Sequence, residues 1–234
     1  MKFATPCLPE CLELVLFDND GVLVDSELIS FEVYAEKISA YGIPKTALQL
    51  MEETSGLTHE AIIEQSIPGI TIQERDILGI SIHEEIKKQF ALAPLRPNNG
   101  VIELLTQLQR KNILFCVATN GKKDRLDSAF RASGLDKFFP EERRFTAYMV
   151  AKGKPEPDLY LFAAQQCGVS PKNCLVIEDS ITGITAAQRA KMPVIAYLGA
   201  SHAQQGWYRD WVLSAQPTCR ADSMEKIQTL FDAI

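Results

Sequence analysis

The stretch FDNDGVLVDSE, residues 17–27, decides how this chain is read. Just before its acidic residues, Leu14, Val15, Leu16 and Phe17 make a short, uninterrupted apolar run, the pattern of a strand buried on both faces. Polar residues and Gly21 follow at once, so the strand ends there. A parallel strand that ends in carboxylates delivers them to the edge where open α/β sheets bind their ligands. One aspartate in that place would serve to cap the next turn. Asp18 and Asp20 together, with Gly21 directly after, indicate a site.

Outward from this strand the pattern changes. Leu28, Phe31, Tyr34, Ile38 and Tyr41 recur at helical spacing, and Gly42 with Pro44 ends that helix. Helical patterns continue at 45–54, 58–65 and 72–90, with no strand pattern among them. The segment LAPLRPNNGV, 92–101, then brings two prolines and a glycine, a hinge. Beyond it helices are expected at 101–110, 124–133, 157–167, 183–191 and 224–234, and strands at 113–118, 174–177 and 194–197. Such alternation predicts an α/β fold, a doubly wound parallel sheet of Rossmann-like type. A structureless connection as long as 25–91 does not fit a compact domain, so that segment is expected to be an inserted, all-helical cap domain. Residues 1–24 and 92–234 then form the catalytic core, with hinges at 22–26 and 92–97 that let the cap close over a substrate.

Composition narrows the function. With 234 residues, 46% of them hydrophobic, the chain can bury a full core. The net charge is −6, of which the insert carries −7 and the rest +1, so neither part is suited to gripping nucleic acid. Pro6, Pro9, Glu10 and Glu13 interrupt any apolar leader, and no run approaches the ~18 apolar residues of a membrane span. The cysteines, at 7, 11, 116, 167, 174 and 219, contain no CxxC pair, and no histidine completes a metal clip with Cys7 and Cys11. Six reduced thiols in a cytoplasmic protein, monomeric or weakly dimeric, are the expectation.

Polar residues cluster at the ends of the expected strands: Asp18 and Asp20, then Thr119 and Asn120, then Glu178, Asp179 and Ser180. Lys154, in GKPEPD, precedes a helix that opens with Pro157. Brought to one sheet edge, these carboxylates would repel one another and stay partly protonated unless a cation sat among them. A hard divalent ion with oxygen ligands fits, and Mg²⁺ is the usual one where phosphate is handled.

DNDGV, ATN, GKP and IEDS, in this order, resemble the four motifs of the haloacid dehalogenase superfamily, in particular its phosphatase-like members with a helical cap inserted after the first motif. The resemblance spans residues 15–200 and extends to EDSITGITAAQRAKM, similar to the family's helix after the fourth motif. It implies a Mg²⁺-dependent phosphatase of small phosphorylated metabolites. Asp18 is then the nucleophile that forms an aspartyl-phosphate, and Asp20 the general acid–base, its backbone carbonyl also touching the metal. Thr119 and Asn120 bind the phosphoryl oxygens, and Lys154 neutralises charge on Asp18 and the phosphoryl group. Asp179 ligates the metal with Glu178 beside it, directly or through water. A sugar phosphomutase of the β-phosphoglucomutase kind shares all four motifs. A dehalogenase has no need of Asp20, and a non-catalytic binding relative would have lost Asp18 or Asp179.

Other residues carry weaker expectations. Ser26 or Asp25 is read as a helix N-cap. His59, in SGLTH, is placed on a cap loop as a candidate substrate contact or a solvated histidine, and Lys122, Lys123 and Arg125 either meet a second anionic group or form a solvated first turn. His202 is given no role. Lys191 stands where the family usually ends a helix on glycine, which suggests a different local ending, and Asn19 decides nothing. Mutases of the β-phosphoglucomutase kind resemble one another in a histidine twelve residues after the nucleophile; Ser30 stands there.

Overall fold

A computed structural model of the protein describes residues 7–92 and 95–232. The expectations for the first six residues, for hinge residues Ala93 and Pro94, and for the last two residues lie outside these. The chain separates into two compact units, Met1–Asp25 with Arg96–Ile234, and Ser26–Leu95.

The first unit is built on a six-stranded sheet in the order β3-β2-β1-β4-β5-β6. Its strands are β1 (Leu14–Phe17), β2 (Leu114–Thr119), β3 (Arg144–Thr146), β4 (Cys174–Glu178), β5 (Val194–Tyr197) and β6 (Cys219–Ala221), each parallel to its neighbours. All four residues of β1 are fully buried, as a strand with helices on both faces must be. It pairs with β2 on one side and β4 on the other, Leu14 facing both Leu114 and Cys174. The chain builds outward from β1 to β3, then returns to the other side of β1 with β4. Strand order therefore reverses between β1 and β4, and the crevice beyond their carboxyl ends is the ligand position of such sheets. Asp18 and Asp179, each one residue past its strand, lie there as neighbours.

Helices α5 (Val101–Arg110), α6 (Lys123–Ser133), α7 (Asp158–Gln166), α8 (Ile181–Arg189), α9 (Gly206–Ser214) and α10 (Met224–Phe231) belong to this unit. Strands β3 and β6 and helix α9 were not expected. Each of the two strands has only three residues, and Arg144 and Arg220 interrupt what apolar signal they have. Helix α9 buries only Tyr208 and Val212, too narrow a stripe to show a period.

Among the described residues the second unit consists of four helices: α1 (Glu27–Ser39), α2 (Ala47–Thr54), α3 (His59–Ser66) and α4 (Ile72–Leu92). Thr46 and Gln49 close a capping box at the start of α2, and Thr58 caps α3 through its hydroxyl. Leu78, Ile82, Ile86 and Phe90 recur every fourth residue along α4 and are buried, which sets its inner stripe. Ser26 takes the N-cap position of α1, as expected, but makes no side-chain capping bond, and Asp25 accepts hydrogen bonds from the Ser201 N–H and hydroxyl.

Two more expectations are corrected. Cys7 and Cys219 are joined by a disulfide across 212 residues of sequence, so the reduced state holds for Cys11, Cys116, Cys167 and Cys174 only. The cytoplasmic location inferred from thiol usage loses that support; no helix among the described residues is long and apolar enough to cross a membrane. Lys191 does not end its helix differently. Its φ is 59°, its N–H bonds to Gln188 O, and the Met192 N–H reaches back to Ala187 O, the hydrogen-bond pattern of a left-handed helix end usually made by glycine. A side chain with a Cβ in that conformation costs about 1–2 kcal/mol. Lys191→Gly is therefore expected to raise stability by about 1 kcal/mol, or about 2–4 °C in Tm, read by thermal unfolding. An unchanged or lower Tm would contradict it.

Candidate active site

The turn after β1 is fixed by its own backbone. The Asp18 N–H bonds to Ile177 O at 3.0 Å, extending the ladder to β4 one residue past β1. The Asn19 carbonyl then accepts the N–H groups of Val22, Leu23 and Val24, so Asn19, taken from sequence as neutral, organises the turn through its main chain. Gly21 sits at φ 78°, and a Cβ there would stand 1.9 Å from Asp179 Oδ2. Only glycine lets the first motif close on the fourth.

Lys154 joins the strands chemically. Its Nζ lies 2.6 Å from Asp18 Oδ1 and 2.7 Å from Glu178 Oε1, with all three side chains buried or nearly so. The loop that carries it is clamped by Asn120, whose amide donates to Lys154 O and accepts from the Lys154 N–H, both at 2.9 Å. The Asn120 side chain is thus occupied in positioning Lys154. Thr119 ends β2 buried, its hydroxyl oxygen accepting the Gly121 N–H at 3.0 Å.

Glu178 is the most heavily bonded group. Oε1 accepts from Lys154 and, at 3.0 Å, from the Tyr160 hydroxyl; Oε2 accepts the Asp179 and Ser180 N–H groups and the Ser180 hydroxyl, each at 2.9 Å. It has no exposed surface, and it fits under α8 because residue 183 is glycine: a Cβ there would fall 1.6 Å from Oε1. Asp179 Oδ2 lies 2.9 Å from His202 Nε2. Asp20 accepts a hydrogen bond from Arg125 Nη2 at 2.9 Å.

Burial pushes the Asp18 carboxyl well above its ordinary range; Lys154 pulls against this without prevailing, and Glu178, Asp179 and Asp20 push further. Asp179 is raised by burial and then by Glu178, again against Lys154. Burial alone would strip the Lys154 proton, but Asp18 and Glu178 outweigh it and hold the ammonium well above its usual value. One ammonium thus faces more carboxylates than it can neutralise. Asp18, Glu178 and Asp179, all buried, each offer an oxygen within 4.8 Å of the others. This donor set, hard and anionic, fits a divalent cation.

Four of the residues singled out by sequence, Asp18, Lys154, Glu178 and Asp179, are thus brought into one cluster, with Thr119 at the end of β2 and Asn120 and Asp20 on the adjoining loops. Arg125 is not a solvated first-turn residue but the partner of Asp20, whereas Lys123 pairs with Asp127 at 2.8 Å and Lys122 is exposed. His59 begins α3 rather than lying in a loop. Its Nδ1 meets the Tyr34 hydroxyl and its Nε2 lies 2.9 Å from Gly79 O, so it ties three cap helices together. Tyr160 and His202 were missed. Tyr160 reads from sequence as one more apolar position of α7. His202 had a signal that could have found it: it follows β5 by a few residues, on the same strand-end edge as the motifs.

The sequence pattern of the haloacid dehalogenase-like hydrolases matches residues 15–197, and the chain belongs to that family of enzymes. It is 31% identical over 180 residues to the phosphorylated carbohydrates phosphatase of Thermotoga maritima, covering 76% of this chain and 82% of the relative. With the 6-phosphogluconate phosphatase of Escherichia coli it shares 26% identity over 193 residues, 82% of this chain and 85% of that one. Among solved structures, a haloacid dehalogenase-like protein of Agrobacterium tumefaciens superposes with a TM-score of 0.80 at 29% identity, over 95% of this chain and 98% of that one.

Proposed function

We propose that this hydrolase is a Mg²⁺-dependent phosphatase acting on a small phosphorylated metabolite, a sugar, polyol or sugar-acid phosphate. The observation that carries the reading is Lys154 bridging Asp18 and Glu178 in a buried, net-anionic cluster that also contains Asp179. A bound Mg²⁺, held by Asp18, Asp179 and the Asp20 carbonyl, would supply positive charge opposite the phosphoryl oxygens. Glu178, with both oxygens already taken by five donors, contributes through the turn it organises and any shared water.

The chain's own groups do the rest. A carboxylate oxygen of Asp18 attacks phosphorus, and the bond to the substrate oxygen breaks. Asp20 gives its proton to the departing oxygen, leaving an alcohol. In the second half Asp20 takes a proton from water, whose oxygen attacks phosphorus; the bond to Asp18 breaks and inorganic phosphate leaves. Lys154 faces Asp18 throughout and offsets charge on the transferring group. Thr119, through its hydroxyl, and Asn120, through its main-chain N–H, cradle the phosphoryl oxygens. The carbohydrate phosphates are favoured by the relatives, two of which are named for such substrates. The partner is a small molecule, and the enzyme works as a monomer or weak dimer.

The test is phosphate release from a panel of phosphorylated metabolites with Mg²⁺, in parallel with a coupled assay for conversion of β-glucose 1-phosphate to glucose 6-phosphate. Ser30, in the place of the mutase histidine, is buried and gives its hydroxyl to the main-chain oxygen of Ser26, just before α1, at 2.8 Å. With no basic nitrogen there to gate Asp20, water attacks the phospho-aspartate and hydrolysis wins. Phosphate release without isomerisation is expected. Efficient isomerisation with far slower phosphate release would promote the mutase reading.

A further inference from the structure

The acid–base step requires Asp20 to present one oxygen at a fixed place, and the side chain that bonds its carboxylate, Arg125, lies outside all four motifs. We propose that Arg125 is a positioning residue that aims Asp20 Oδ2 at the phosphoryl cradle, an inference that rests on the reading of Asp20 as the acid–base of a phosphatase. Arg125 Nη2 donates to Asp20 Oδ1 at 2.9 Å. The other oxygen borders the turn after β2: a Cβ on Gly121 would stand 3.8 Å from Asp20 Oδ2 and 3.3 Å from Thr119 Oγ1. Oδ2 and the Thr119 hydroxyl therefore flank one small space, kept open because residue 121 is glycine.

The donor is borne by a helix, which gives it a fixed origin. Arg125 is the third residue of α6, and Leu126, Ala129 and Phe130 of that helix are buried. Arg144, from β3, donates through Nη1 to Asp127 Oδ1 at 2.8 Å and so ties α6 to the sheet. Lys123 is turned to the same carboxylate, 2.8 Å from Asp127 Oδ2. The side chains of Arg125 and Asp20 are 18% and 14% exposed, so water competes little for the bond between them.

The consequence is rotational. A carboxyl group can exchange its two oxygens by turning about the Cβ–Cγ bond, and proton transfer needs the reacting oxygen within hydrogen-bond reach of its partner. With Oδ1 bonded to the guanidinium that turn is opposed, and Oδ2 stays beside Thr119. The bond survives both halves of the reaction, because a carboxyl that carries its proton on Oδ2 still accepts on Oδ1. Oδ2 therefore gives the proton to the departing oxygen and later takes one from water, while Arg125 exchanges none.

The test compares kcat/KM for phenyl phosphate and 4-nitrophenyl phosphate at saturating Mg²⁺. The esters share a ring but differ in their need for an acid: 4-nitrophenolate departs without a proton, whereas phenol, ionising near pH 10 like tyrosine, requires one (about 10). Because kcat/KM runs only to the first irreversible step, departure of the alcohol, hydrolysis of the shared phospho-aspartate does not enter it. Arg125→Met keeps the stem without a donor and should lose about 10–100-fold on phenyl phosphate but less than about threefold on 4-nitrophenyl phosphate. Arg125→Lys restores a donor and should stay within about fivefold of wild type on both. Arg125→Gln, polar but too short to reach Asp20, repeats the comparison if the Met variant does not fold. Wild-type values in the folded donor-less variants overturn the proposal. So does an equal loss on the two esters, which would assign Arg125 to substrate binding or to the fold. Asp20→Asn separates the two levels. If its loss is no greater on phenyl phosphate, the acid assignment falls and this inference with it. If it is selective while Arg125→Met is not, only the role of Arg125 falls. No release from either ester by wild type would sink the phosphatase reading and this inference together.

Discussion

Asp18→Asn should release no measurable phosphate, a loss of about 10⁴-fold or more in kcat, while the protein stays folded. The amide has the shape of the carboxyl but cannot attack phosphorus, and no other carboxylate can take over. Glu178 is held by five donors, and Asp20 is turned to Arg125. The effect on stability has a definite sign. Burial raises Asp18 above its ordinary value in the folded state. A raised carboxyl contributes its stabilisation below the unfolded pKa and loses it as pH rises through the folded one. At neutral pH in a chelator the ionised group is therefore a liability, and the neutral amide removes it. Metal-free Asp18→Asn should melt no lower than metal-free wild type at pH 7 and should lose less stability between pH 4 and 8. Turnover and stability move apart, which distinguishes loss of a nucleophile from damage to the fold. Residual phosphate release within about tenfold of wild type would end the aspartyl-phosphate reading.

The first strand and the turn that carries Asp18 were legible from residues 14–21, because local chemistry decides them: an uninterrupted apolar run fixes a buried strand, and a glycine fixes where the turn must bend. The other motifs were legible for the same reason. What sequence hid was set by tertiary contact. Arg125 reads as one more charge in KKDR, and only the packing of α6 beside the first turn makes it the partner of Asp20. Tyr160 shows its apolar ring to the pattern of α7 while its hydroxyl meets Glu178 from far along the chain. Strands β3 and β6 follow from their neighbours, pairing with Val117–Thr119 and Ile195–Tyr197, and carry little signal of their own. Cys7 and Cys219 meet only because the start of the chain and the edge strand come together in the fold. Lys191 shows the reverse error: its side chain argued against a left-handed helix end, yet the backbone pattern of the Schellman-type ending prevailed.

Lys154→Met carries the second large effect, and it strikes activity and stability together. Methionine matches the length of lysine and leaves no cavity, so the change is electrical. Two buried carboxylates, Asp18 and Glu178, lose the ammonium that stands 2.6 and 2.7 Å from them. Removing one member of a buried ion pair costs about 3–5 kcal/mol, because the remaining charge has neither water nor partner. For a chain of this size that corresponds to roughly 6–20 °C in Tm. The loss should deepen as pH rises from 4 to 7, since Asp18 escapes its cost by staying protonated at the lower pH. Mg²⁺ should recover part of the stability by bringing positive charge back to the same cluster. It should not recover turnover if, as proposed, the ammonium also offsets charge on the transferring phosphoryl group; loss of one such preorganised charge costs about 10²–10³-fold in kcat. Lys154→Arg should rescue poorly, as a planar guanidinium does not fit a site whose lysine side chain is only 3% exposed and is packed against the Tyr160 ring at 4.9 Å. A Lys154→Met enzyme with wild-type kcat at saturating Mg²⁺ would show that the ammonium holds the fold alone, and the electrostatic account of this site would have to be rebuilt around the cation.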